Sequence, residues 1–121
     1  MLIVDDSTPN RKMLSRILTN AGFTCAQAGE GEVGLGMVTA DLHAFDLVLM
    51  DFEMPVMDGP TATKALRAAG FSKPILGVTG NALPADFAAF IAAGADDVLI
   101  KPVTLARLNE AFDALEKKAD L

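Results

Sequence analysis

Asp5-Asp6, Asp51, Thr79 and Lys101 share one property: each follows directly on a short apolar run of the kind that forms a buried strand. Leu2-Ile3-Val4 runs into the aspartate pair, Leu47-Val48-Leu49-Met50 into Asp51, the run ending at Val78 into Thr79, and Val98-Leu99-Ile100 into Lys101-Pro102. If those strands lie side by side and parallel, three carboxylates, a hydroxyl and an ammonium gather on one rim of the sheet, where ligands of open α/β sheets bind. Like charges that close raise one another's pKa values and work against the fold. A hard divalent cation relieves them, and Mg²⁺ favours one or two carboxylates together with waters and phosphate oxygens. Mn²⁺ could substitute. The chemistry that fits is phosphoryl transfer, where positioning and charge neutralisation dominate and a carboxylate can itself be the nucleophile. Asp51, at the end of the most apolar run, is the candidate nucleophile. Asp6 would ligate the metal, and Asp5 would support it directly or through water. Lys101 would pair with the phosphoryl oxygens, and the Thr79 hydroxyl would donate to one of them.

The elements that must position these groups alternate five times between a short apolar run and a longer amphipathic one. That βα pattern predicts a parallel sheet covered by helices on both faces. Strands are expected at Leu2–Val4, Thr24–Ala28, Asp46–Met50, Pro74–Val78 and Val98–Ile100, the third central because its run Leu47-Val48-Leu49-Met50 is apolar at every position. The strand order 2-1-3-4-5 is taken over from flavodoxin-like sheets rather than derived; it places strands 1, 3, 4 and 5 next to one another. Thr8-Pro9 reads as an N-cap followed by proline at the first helical position, with Met13, Leu14, Ile17, Leu18 and Ala21 on one face and Gly22 past the end. Further helices are expected over about 31–40, 60–69 and 84–93, the third capped by Asp58 before Gly59-Pro60, and a last one carries Leu105, Leu108, Phe112 and Leu115.

With 121 residues there is room for a single domain, residues 1–121, and its 51% hydrophobic content with 7 aromatic residues calls for a mostly aliphatic interior. A net charge of −6 repels a phosphate backbone, which argues against direct nucleic-acid binding. No apolar run approaches the roughly 20 residues that span a bilayer, the opening Leu2-Ile3-Val4 is stopped at once by Asp5 and Asp6, and the one cysteine, Cys25, cannot form an internal disulfide. The expected location is cytoplasmic.

The set Asp5-Asp6, Asp51-Phe52-Glu53-Met54-Pro55-Val56-Met57-Asp58-Gly59, Thr79 and Lys101-Pro102 resembles the response-regulator receiver domain over nearly the whole chain. The resemblance implies a doubly wound α/β fold and transfer of a phosphoryl group to Asp51 from a histidine kinase or a histidine phosphotransfer protein. It also implies a Mg²⁺ ligand from the backbone carbonyl of Glu53, a cis peptide between Lys101 and Pro102, and an output surface formed by the fourth helix, fifth strand and fifth helix. Such a domain is a switch rather than a metabolic enzyme, catalysing only its own phosphorylation and slow dephosphorylation. It could stand alone or be a segment of a hybrid histidine kinase, and Thr79-Gly80-Asn81-Ala82-Leu83 resembles the hybrid subgroup.

The chain also departs from the family. Three positions before the lysine, where receivers usually carry an aromatic residue, stands Val98, so coupling from Thr79 to the output surface must be weaker or differently built. Glu53 and Asn81 occupy positions that, by the same resemblance, tune attack of water on the phosphoaspartate. Gly29-Glu30-Gly31-Glu32-Val33-Gly34 matches the dinucleotide fingerprint G-x-G-x-x-G, but Glu30 and Glu32 would face the pyrophosphate, so a plain turn is expected. His43 has no neighbouring ligand and reads as solvated or partly packed, Cys25 as core within the second strand, and at least two of Phe87, Phe90 and Ile91 as core. The enzymatic rival is an aspartate-nucleophile phosphatase of the haloacid-dehalogenase type, with Glu53 as general acid. Against it stand the missing Gly-Thr-like turn after the nucleophile and the missing cap domain. A flavin module on the same fold lacks any Trp or Tyr to stack a flavin.

Overall fold

The computed structural model describes residues 1–119. Five βα units follow one another: β1 Leu2–Val4, α1 Thr8–Asn20, β2 Ala26–Ala28, α2 Gly31–Ala40, β3 Val48–Asp51, α3 Gly59–Ala68, β4 Ile75–Thr79, α4 Pro84–Ala93, β5 Asp97–Ile100 and α5 Leu105–Ala119. The strands form one parallel sheet in the order β2-β1-β3-β4-β5, as expected.

Strand periodicity splits the core in two, because successive side chains point to opposite faces. Leu2, Val4, Val48, Met50 and Ile75 join Val38 of α2, Ala62 and Leu66 of α3 and Phe90 of α4 on one face. Ile3, Leu49, Leu76, Val78 and Leu99 meet Leu14 and Leu18 of α1 and Leu108 and Ala111 of α5 on the other. Every residue of β3 and β4 is buried, so the two strands that end in Asp51 and Thr79 form the buried centre of the sheet.

Several boundaries differ from expectation. β2 begins at Ala26, since the β1–β2 ladder starts with Leu2 opposite Ala26, and this leaves Thr24 and Cys25 outside the strand. β3 and β4 begin two residues and one residue later and end one residue later than expected, taking in Asp51 and Thr79, and β5 starts at Asp97, opposite Leu76. The N-cap of α1 is Ser7, not Thr8: its hydroxyl accepts from the Asn10 N–H at 3.3 Å, and Thr8-Pro9 open the helix. Asp58 caps α3 as expected, its carboxylate accepting from the Thr61 N–H at 2.9 Å. Phe90 is fully buried and Phe87 half-buried, while Ile91 is exposed.

Candidate functional site

Because the strands are parallel, their carboxyl ends share one rim. Val4 lies opposite Met50, Asp51 opposite Val78, and Thr79 opposite Ile100, so the residues that follow or close each strand fall on neighbouring rungs. Backbone bonds continue past the ladder and fix the rim: the Phe52 N–H donates to the Val78 carbonyl at 2.9 Å and the Lys101 N–H to the Thr79 carbonyl at 2.8 Å.

On this frame Asp5, Asp6 and Asp51 converge, with one carboxylate oxygen of each within 4.8 Å of the others. Lys101 joins them, its ammonium 2.8 Å from Asp51 Oδ1 and 3.7 Å from Asp5 Oδ2. Asp5 is buried and held on both oxygens, accepting from the Ser7 N–H at 2.8 Å and from Asn10 Nδ2 at 3.3 Å, whereas Asp6 is exposed. Burial raises the Asp51 carboxyl above the ordinary carboxylate range; the Lys101 ammonium pulls it down without prevailing, and the charges of Asp5 and Asp6 push it further up. For Lys101, burial favours the neutral amine, but its contacts with Asp51 and Asp5 outweigh burial and hold its pKa above the usual value.

Thr79 is buried, and its hydroxyl accepts from the Asn81 N–H at 3.1 Å and donates to the Asn81 carbonyl at 3.2 Å. Asn81 Nδ2 donates in turn to Glu53 Oε1 at 3.4 Å, linking the loop after β4 to the loop after β3 across the rim. Beside them opens a cleft of about 480 Å³ lined by Asp6, Asp51, Glu53, Met54, Asp58 and Lys101 among others. Gly59 allows the β3–α3 loop to fold back so tightly: its N–H donates to the Phe52 carbonyl at 2.8 Å, and a Cβ there would overlap the Asp51 carbonyl oxygen. The Lys101–Pro102 peptide is cis.

Each residue singled out on the rim is therefore found there. Three hard oxygen donors, an ammonium, a hydroxyl and an open cleft are a donor set that fits Mg²⁺ with a phosphoryl group. His43 is exposed and lies before β3, while the rim follows it. The G-x-G-x-x-G motif has a packing explanation. A Cβ at Gly31 would come 2.9 Å from the Met57 carbonyl oxygen, and one at Gly34 would come 2.8 Å from Val4, so Gly31 lets the start of α2 approach the β3–α3 loop and Gly34 lets the helix press against the sheet.

Sequence reasoning passed over Ser7, Asn10 and Arg11, which reach back from the start of α1 to Asp5. The available signal was a helix opening two residues after the aspartates, which brings its first turns over their backbone. Val56, within the run from Asp51 to Gly59, is 98% exposed with φ of 69°, a conformation uncommon for a β-branched residue and one that the sequence did not announce.

Comparison with known proteins agrees along the chain. Residues 1–113 match the family described as response regulator receiver domain. The chain is 43% identical over 111 residues to the two-component response regulator ORR41 of rice, covering 90% of this chain and 87% of that protein. It is 38% identical over 112 residues to the sensor histidine kinase RcsC of Salmonella typhi, covering 93% of this chain but only 12% of the kinase. Among solved structures, the chemotaxis protein CheY4 of Vibrio cholerae superposes with a TM-score of 0.83 at 31% identity, over 93% of this chain and 94% of that one. CheY in the CheX–CheY–BeF₃–Mg²⁺ complex of Borrelia burgdorferi gives 0.87 at 25% identity, over 94% and 86%. These matches lend the phosphatase alternative no support.

Proposed function

The chain belongs to the response-regulator receiver domains of two-component signalling, and from that membership and the geometry of the rim we propose that Asp51 is its phosphoacceptor. The observation that carries this reading is the buried Asp51 carboxylate, 2.8 Å from Lys101 and grouped with Asp5 and Asp6 at the mouth of a cleft. In the reaction a carboxylate oxygen of Asp51 forms a bond to phosphorus while the bond from phosphorus to the donor histidine nitrogen breaks. The electron pair returns to the imidazole, which takes up a proton from solvent. Lys101 turns from the Asp51 carboxylate towards the phosphoryl oxygens it is already beside, and Thr79 exchanges its hydrogen bond to the Asn81 carbonyl for one to a phosphoryl oxygen. Mg²⁺, when bound, neutralises charge on the phosphoryl oxygens. Asp6, Asp51 and the Glu53 backbone carbonyl would hold it, with Asp5 supporting directly or through water.

On this reading residues 1–121 form one receiver unit that catalyses only its own phosphorylation and slow dephosphorylation. Its donor is a histidine kinase or a histidine phosphotransfer protein. The relatives include both a short regulator and a long kinase, and the domain serves equally in either setting. Among the described residues no helix is long and apolar enough to cross a membrane. The lone Cys25 suits a reducing cytoplasm. We assign output to α4, β5 and α5; what supports this is that α4 carries the exposed apolar side chains Leu83, at its cap, and Ile91, and α5 carries Leu105.

The test is intact-mass measurement after incubation with acetyl phosphate, with and without Mg²⁺. One Mg²⁺-dependent phosphate adduct on wild type, absent from Asp51→Asn, is expected. An adduct that survives in Asp51→Asn would assign the phosphoacceptor elsewhere.

A further inference from the structure

Asp6 is exposed, yet it directs one carboxylate oxygen to within 4.8 Å of oxygens of the buried Asp5 and Asp51. Something other than packing of its own side chain must set that direction. The peptide plane between Asp5 and Asp6 is the nearest determinant, and it is held at its carbonyl: Arg11 Nη1 donates to the Asp5 carbonyl oxygen at 2.7 Å. The guanidinium is steadied on its other side, Nη2 donating to Thr8 Oγ1 at 3.1 Å. It also lies against Gly29 at the end of β2, where a Cβ would come 3.3 Å from Nη1. Arg11 is thus wedged between α1 and the end of β2, with one fork of its planar head on the backbone that carries the metal-binding pair.

Building on the assignment of Asp5, Asp6 and Asp51 as the Mg²⁺ site, we propose that Arg11 is a positioning residue for that site, orienting the Asp5–Asp6 peptide so that Asp6 presents its carboxylate to the ion. Its positive charge also offsets the mutual repulsion of the two acids before the ion arrives. Groups that orient metal ligands typically govern affinity by about 10–100-fold. The arginine does not touch the phosphoryl group, so its loss should weaken Mg²⁺ binding and leave the transfer step intact once the ion is supplied in excess.

The test is calorimetric Mg²⁺ titration of the whole chain, paired with the rate of acetyl-phosphate labelling against Mg²⁺ concentration. Arg11→Met is expected to raise the Mg²⁺ Kd by roughly ten-fold or more and to shift the labelling curve to higher Mg²⁺ while reaching the wild-type plateau. Arg11→Lys, which keeps the charge but not the fork, should fall between. Thr8→Val removes only the outer support and should raise Kd by a smaller factor with the metal-free melting temperature unchanged; this variant and Arg11→Lys decide the matter if Arg11→Met does not fold. Affinities equal to wild type in all three variants, or a lowered plateau at saturating Mg²⁺, would overturn the proposal. A wild-type chain that binds no Mg²⁺ would instead overturn the metal-site assignment beneath it.

Discussion

As the proposed phosphoacceptor Asp51 would have to be ionised to attack phosphorus, yet it stands where ionisation is disfavoured, 4% exposed and close to two further carboxylates. Its folded pKa lies above the ordinary carboxyl value, so over the interval between the two the folded chain holds a proton that the unfolded chain has released. The stabilisation this provides is present at low pH and is lost as pH rises through the raised value. At neutral pH the Asp51 charge therefore costs the metal-free fold stability. Asn at this position cannot ionise and can still accept from Lys101. Urea unfolding in chelator, from about pH 3.5 to pH 8 with Lys101 charged throughout, should find Asp51→Asn gaining on wild type as pH climbs through the carboxyl range and holding its advantage above it. Parallel stability curves would show that burial does not strain this carboxylate. The residue types at the rim were legible in the sequence because each ends an apolar run. The hold that Ser7, Asn10 and Arg11 have on Asp5 was not, because it depends on where the first turns of α1 pass in space.

At the scale of elements the question is how α4 is joined to the rim when position 98 holds valine. Val98 lies opposite Gly77 in the β4–β5 ladder, on the face of the sheet that α4 covers. There the space is filled from the helix: Phe90 is fully buried, and a Cβ on Gly77 would come 2.6 Å from its ring. The same ring meets Phe52, the residue after Asp51, edge to face at 5.4 Å between centroids. At its far end α4 is fixed by Arg67, whose Nε donates to the Gly94 carbonyl at 3.0 Å and whose Nη2 pairs with Asp96 at 3.0 Å. Gly77→Ala should therefore destabilise by about 1–3 kcal/mol through overpacking, and Phe90→Leu should cost stability on its own by leaving a void. Combined, they should cost less than the sum of the two, since the smaller side chain vacates the space the new methyl needs. Additive losses in a double-mutant cycle by urea unfolding would mean the ring does not rest on Gly77. Helical spacing announced at least two core residues among Phe87, Phe90 and Ile91, of which Phe90 is fully buried and Phe87 half-buried. That Phe90 lies on a glycine of β4 is a non-local fact, set by how close α4 approaches the sheet, and no local pattern encodes it.

For the molecule as a whole, the alternation of apolar and amphipathic runs was enough to establish five βα units. The strand order had to be taken over from similar sheets, because a parallel crossover of one length can reach either side. Once that order holds, it sets a consequence for the entire domain: a chain of net charge −6 gathers three carboxylates, and among the described residues Lys101 is the one cation paired with the cluster, through Asp5 and Asp51. Any ion that binds this cluster in the folded state alone must stabilise the fold by linkage. At a free concentration one hundred times its Kd the gain is about 2.7 kcal/mol, which in a domain of this size corresponds to a rise of roughly 8–12 °C in melting temperature. A calorimetric melt with increasing Mg²⁺ should show that rise in wild type and little of it in Asp6→Ala. Monovalent salt at equal ionic strength supplies the necessary control, since screening acts on every surface acid within about a Debye length and does not require the cluster. If NaCl reproduces the shift, or Asp6→Ala responds to Mg²⁺ as wild type does, the effect belongs to the overall negative charge, and Asp6 is not a ligand.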